Sequence, residues 1–362
     1  MSELPPGAGG APAQGVLGAV AELSPAYFGL VMATGIVSVA ADFQGMRIFA
    51  LILLAANIGA WFLLWGLNIA RAIRYPARFF GDMADHLRAP GFFTAVAGTS
   101  LLGTQVLLFA DAYRIALALG VFAALLWFVV TYAVFAAFTI KVDKPPLDKG
   151  ISGAWLLTVV STQALALLFA HLAAHAHHPT RIAMNFFALS MWLWGGMLYI
   201  WLMVLIFYRY TFFRLAPEDL APPYWINMGA MAISTLAGSF LIINAPDAPF
   251  LHAILPFIKG FTILYWATAT WWIPMLAVLA IWRYGYMRFP LRYDPLYWGA
   301  VFPLGMYSAA THELGQALAL GFLATPTQVF LYAAIIAWSA AFAGLVRRVV
   351  QHVLRHRPVH PA

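Results

Sequence analysis

Charge is what this sequence has least of. Of its 362 residues, 9% are Asp, Glu, Lys or Arg, against about 25% in soluble domains. A surface facing water cannot be covered at that density, so lipid is the expected solvent. Cysteine is absent, which excludes disulfides, thiolate metal sites and cysteine nucleophiles. The opening MSELPPGAGGAPAQG has no basic n-region and no apolar h-region. It reads as a flexible tail over 1–23 rather than a secretory signal. No phosphate loop, nucleotide fingerprint or Ser-His-Asp arrangement is evident. An enzyme is not expected, and neither is a cofactor or a resident metal.

Hydrophobic residues make up 63% of the chain, with 14 Trp, 15 Tyr and 28 Phe. Such rings favour the membrane interface. A membrane span needs roughly 20 apolar residues. Ten runs qualify, near 25–44, 48–70, 91–110, 114–138, 151–173, 182–208, 224–244, 252–282, 296–318 and 327–348. They are long and continuous, whereas a barrel needs short alternating strands. The expected fold is therefore an all-α integral membrane protein with ten transmembrane helices over 24–349, followed by a basic tail over 350–362.

The net charge of +7 would suggest nucleic acid in a soluble protein. Here the bases sit in loops and report topology. Sixteen of the 20 lie after even-numbered spans: Arg71, Arg74, Arg78 and Arg88; Lys141, Lys144 and Lys149; Arg209 and Arg214; Arg283, Arg288 and Arg292; Arg347, Arg348, Arg355 and Arg357. The opposite loops hold Arg47, Arg114 and Arg181, and Lys259 falls inside span 8. The positive-inside rule then places both termini in the cytoplasm of a cell membrane protein.

The odd-numbered spans begin near 25, 90, 150, 224 and 295 and share hydroxyls and glycines; the even spans are richer in Leu, Phe and Trp. Small and hydroxyl residues in buried helices glue neighbours together or line a wet path. The expectation is five helical hairpins, with the odd helices as an inner ring around a central pore and the even helices outside. The candidate lining is Thr34, Ser38, Thr99, Gln105, Thr158, Thr162, Ser234 and Thr235. Taken singly, each of these could equally be a packing contact.

Two stretches are distinctive. Ser24-Pro-Ala-Tyr-Phe-Gly-Leu-Val-Met-Ala-Thr-Gly35 opens span 1, and Trp298-Gly-Ala-Val-Phe-Pro-Leu-Gly-Met-Tyr307 opens span 9. Both resemble the tellurite-resistance/dicarboxylate transporter family, which includes bacterial tellurite-resistance anion channels, fungal malate permeases, sulfite exporters and plant slow anion channels. The resemblance implies ten helices around a pore in each subunit, a homotrimer in the lipid bilayer, and small anions as the permeating species. It also implies a gate at Phe302, beside Pro303. Proline lacks the backbone donor and bends a helix. Along a regular helix the face of Phe302 continues through Gly305, Met306, Ala309 and Glu313.

Glu313 does not suit an anion pathway. Three readings of His312 and Glu313 compete. Glu313 could pair with Lys259, since intramembrane charges usually pair. The two could instead form a proton site, making the chain a proton-coupled carrier of a C4-dicarboxylate, sulfite or tellurite. The third, a metal site, fails because Gln316 stands where H-E-x-x-H needs its second histidine. His171, His175 and His178 would share a helical face if the helix continued, but a solvated turn is the simpler reading. A haem protein would need paired histidines on facing helices, and His312 alone lies well inside a span.

Overall fold

A computed structural model describes residues 16–291 and 293–355. Arg292 and Arg357 of the charge pattern, and the extremes of both expected tails, lie outside the described residues. Among those described there are helices and connecting turns, and no strand. This is how a chain surrounded by lipid satisfies its own backbone groups.

Ten long helices follow in order: α1 (Gly29–Phe43), α2 (Arg47–Arg74), α3 (Phe93–Ala110), α4 (Tyr113–Ile140), α5 (Leu157–Ala174), α6 (Thr180–Phe212), α7 (Ile226–Asn244), α8 (Leu255–Ala280), α9 (Trp298–Leu318) and α10 (Ala324–Arg355). Nine of the described helical segments are long and apolar enough to cross a membrane. The segment outside that set is α9. It is 21 residues long, but Ser308, Thr311, His312, Glu313 and Gln316 lower its hydropathy. A helix shielded by protein does not need to be apolar all round.

Burial divides the helices. In the most apolar stretches of α1, α3, α5 and α7, with their leading turns, between 72% and 94% of residues are buried. In the even-numbered helices the share is 17–50%. Helix α9 is buried along most of its length. Contacts follow the same division. Helix α1 packs on α3, α3 on α5, α5 on α7, α7 on α9, and α9 on α1. Each even helix packs on the odd helix before it and on the next odd one, with α10 returning to α1.

Each odd helix starts from a 3₁₀ turn: Pro25–Phe28, Ala89–Phe92, Gly153–Leu156, Pro222–Trp225 and Pro295–Tyr297. Every one of these turns touches the next, and the last touches the first. Two approaches need glycine. A Cβ on Gly91 would lie 2.8 Å from the Ala26 nitrogen, and one on Gly153 would lie 2.6 Å from the Pro223 carbonyl oxygen. The opposite ends are joined tightly. The link from α1 to α2 turns at Gly45, whose φ of +79° is costly for other residues.

Two boundaries differ from expectation. The segment Val16–Ala21, within the expected flexible tail, is helical. It is fixed because Arg71 Nε donates to the Ala21 carbonyl at 3.2 Å. At the other end α10 continues to Arg355, so the expected basic tail begins inside a helix.

Candidate functional site

Helix α9 is held from two sides. Phe302 has no exposed surface, and neither do Met306 and Ala309. On one side Gly229 of α7 makes room: a Cβ there would meet Pro303 Cγ at 2.8 Å and Phe302 Cε1 at 3.2 Å. On the other, Gly305 lies against α1, where a Cβ would come within 3.1 Å of Val37. The helix continues through Pro303 without a break. Phe302 is thus enclosed among odd-numbered helices, with a glycine beside its ring.

Most of the expected lining hydroxyls have partners. Thr34 accepts from the Trp338 indole at 2.9 Å, Thr99 from Trp61 at 3.0 Å, and Thr162 from Trp127 at 2.9 Å. The series continues with Trp266 donating to Thr311 at 3.0 Å and Trp192 to the Ser234 carbonyl at 2.7 Å. One tryptophan from each even helix therefore clasps the following odd helix. Ser38 donates to the Ala50 carbonyl at 2.8 Å. Thr158, Ser234 and Thr235 donate to carbonyls three or four residues back.

A different set of buried polar atoms has no protein partner. Gln105 accepts from Asn57 at 2.7 Å, which leaves its Nε2 free. Ser100 Oγ, Gln163 Oε1, Asn227 Oδ1 and both ring nitrogens of His171 are likewise unpartnered. These five residues belong to odd helices, while Asn57 Oδ1, Trp65 Nε1 and Thr131 Oγ1 on even helices are unpartnered as well. Buried polar groups are rarely left so without water or an ion to meet them. Apart from Gln105 and His171, these positions were not singled out in the sequence.

Near the far end of α9, Glu313 is 9% exposed. No ion pair within 4 Å joins it to Lys259, so the expected pair does not form; among the described residues all the ion pairs involve Asp and Arg. Lys259 lies half-buried on α8 instead. His312 hydrogen-bonds Gln44 at 3.1 Å, stacks on Phe43, and lines a cavity of about 590 Å³. The face proposed for His171, His175 and His178 is interrupted, because α5 ends at Ala174. Among the described residues no three His, Cys, Asp or Glu side chains are placed to hold a metal.

The missed features had a sequence signal. Every even span has a tryptophan at a similar depth, Trp61, Trp127, Trp192, Trp266 and Trp338, though spans 2, 6 and 8 hold others besides. Such a recurrence requires a common partner, because an indole N–H in hydrocarbon needs an acceptor.

The apolar helices, their paired packing and the basic loops define a multi-pass helical membrane protein. Comparison with known proteins gives its kin. Residues 22–346 match the family model described as SLAC1, voltage-dependent anion channel, and the chain belongs to this family of anion channels and transporters. It is the same family to which the motifs of spans 1 and 9 point. An uncharacterized transporter of Methanocaldococcus jannaschii is 26% identical over 79% of this chain and 83% of its own length. An uncharacterized membrane protein of Mycobacterium tuberculosis is 34% identical over 44% of this chain and 80% of its own length. A sulfite efflux pump of Arthroderma benhamiae is 23% identical over 82% of this chain and 83% of its own length.

Proposed function

We propose that the chain passes small anions through a central pore in each subunit, and that Phe302 occludes this pore. In this reading the ten helices are five hairpins, the odd ones forming an inner ring and the even ones an outer ring toward lipid. The observation that carries it is the circuit of packing α1–α3–α5–α7–α9–α1. Enclosure of Phe302 beside Gly229 within that circuit supports its role as the gate.

The anion meets dipoles rather than fixed charge. The Ser100 hydroxyl and the Gln105 amide are donors that no described protein group uses. Weak neutral donors suit conduction, because an anion held tightly does not leave. Thr34, Thr99 and Thr162 serve instead to fix the helices. The basic loops face the cytoplasm of a cell membrane protein and concentrate anions at the inner mouth within about a Debye length, on the order of 10 Å. The unit of assembly is a homotrimer, and the protein is no enzyme.

Kinship with a sulfite efflux pump favours a small oxyanion such as sulfite. Purified protein in liposomes, tested with sulfite, chloride, nitrate, tellurite and malate, should pass sulfite without a pH gradient. Flux of malate alone, and only with an imposed pH gradient, would contradict this.

The second reading is a proton-coupled carrier. It is favoured by Glu313, which is buried and lacks the Lys259 pair. In that case Glu313→Gln abolishes acid-stimulated uptake. In the channel reading the same variant leaves flux following the electrochemical gradient alone.

A further inference from the structure

A buried arginine lies in the last turn of α2 and of α6, and a third lies in the turn that continues α8. Arg71, Arg209 and Arg283 are 1%, 3% and 7% exposed. Removing a guanidinium from water is costly unless a counter-charge accompanies it. Two of the three have one. Arg71 Nη2 lies 2.6 Å from Asp82, and Arg209 Nη2 lies 3.1 Å from Asp219. Each acid precedes the next odd helix, 11 and 10 positions after its arginine; Asp82 lies in the short helix Pro76–Met83 and also pairs with Arg88 at 2.7 Å.

The third unit departs from this pattern. Asp294 follows Arg283 by 11 positions, yet its carboxylate accepts the Leu296 N–H at 2.8 Å and caps the turn before α9. No carboxylate among the described residues lies within 4 Å of Arg283. Its Nη1 donates to the Leu220 carbonyl. The guanidinium also lies over the rings of Phe289 and Tyr284, 4.4 and 5.0 Å from their centroids. Its Nε is buried without a partner, and among the described residues no hydrogen bond engages Nη2. These two atoms form the edge that grips carboxylate or phosphate with parallel bonds.

That arginine lines a cavity of about 190 Å³ between α8, α9 and the turn Pro222–Trp225. Tyr284 and Tyr297 line it too, with their hydroxyls 3.0 Å apart. Two hydroxyls bonded to each other use one proton between them and leave the other free to donate. The backbone of Arg283 is a π-helical turn, Ile281–Tyr286, a distortion found often at functional sites.

We propose that Arg283, Tyr284 and Tyr297 form a second anion site, off the five-helix circuit, which takes one phosphate-type oxyanion group. The group is the counter-charge that Asp82 and Asp219 supply in the other two units. It comes either free from solution or as the headgroup of an anionic lipid.

The test is thermal denaturation of the purified full chain in phosphatidylcholine nanodiscs. One arm adds inorganic phosphate against chloride at matched ionic strength. The other replaces part of the lipid with phosphatidylglycerol. A rise in midpoint with phosphate identifies a free anion, and a rise with phosphatidylglycerol alone identifies a headgroup. Ala280→Asp places a carboxylate one turn before Arg283, facing the same cavity, and should abolish the rise. Tyr297→Phe removes one oxygen and should weaken the concentration dependence about tenfold, the value of one hydrogen bond to a charged group. No rise in either arm, or a Tyr297→Phe response equal to that of the unaltered protein, would overturn the site.

Discussion

At the scale of single residues, the tryptophan clasps decide what the odd-helix hydroxyls do. An indole N–H buried away from water needs an acceptor, and Thr99 provides it for Trp61 at 3.0 Å. Thr99→Val keeps the shape and removes the acceptor. It should cost about 0.6 kcal/mol of stability, and no more than ~1.7 kcal/mol, as interhelical bonds in membranes do. Thermal denaturation in nanodiscs measures the cost, and anion flux should be unchanged. A loss of flux at full stability would return Thr99 to the pathway. The sequence identifies Thr34, Thr99 and Thr162 as polar residues on odd spans, but not which way they face. Rotation about a helix axis is set by its neighbours, and hydropathy carries no such reference when both faces are buried. The same limit hid Ser100, which is adjacent to Thr99 and left without a partner. The Lys259 partnership failed for a related reason: similar depth along two helices says nothing about the faces on which the charges lie.

At the scale of elements, the five 3₁₀ turns hold the ends of the odd helices against one another. Gly153 is where this contact is closest, because its missing Cβ would lie 2.6 Å from the Pro223 carbonyl oxygen. The obstacle is backbone and cannot rotate away. Gly153→Ala should destabilise by about 1–3 kcal/mol, as overpacking does. Gly59→Ala is the control. It lies on α2 with nothing within 4 Å of an added Cβ, and should be neutral or stabilising by up to ~1 kcal/mol. Equal destabilisation of both variants would mean that the turns are not in close contact. The helices themselves were legible, since long apolar runs admit little else in lipid. Their ends were less so. The helix at Val16–Ala21 is short, and a distant arginine fixes its end. Helix α9 was read as an apolar run over 296–318, although its polar residues depress its hydropathy below that of the other nine.

At the scale of the whole molecule, three independent patterns agree. Basic residues cluster at one end of the helices, burial alternates between odd and even helices, and the odd helices touch in a closed sequence. The first two were visible in the sequence, because charge and hydroxyl content alternate with the same period. The closure was not, because it depends on α9 meeting α1 across most of the length of the chain.

The proposed channel depends most on Phe302, which is buried within the packed odd helices. Phe302→Ala, reconstituted in planar bilayers beside the unaltered protein, tests it most directly. If the ring occludes a central pore, the smaller side chain raises anion conductance several-fold, while the melting temperature shows that the fold is kept. Conductance equal to that of the unaltered protein, in a variant that is folded and inserted, would contradict the account.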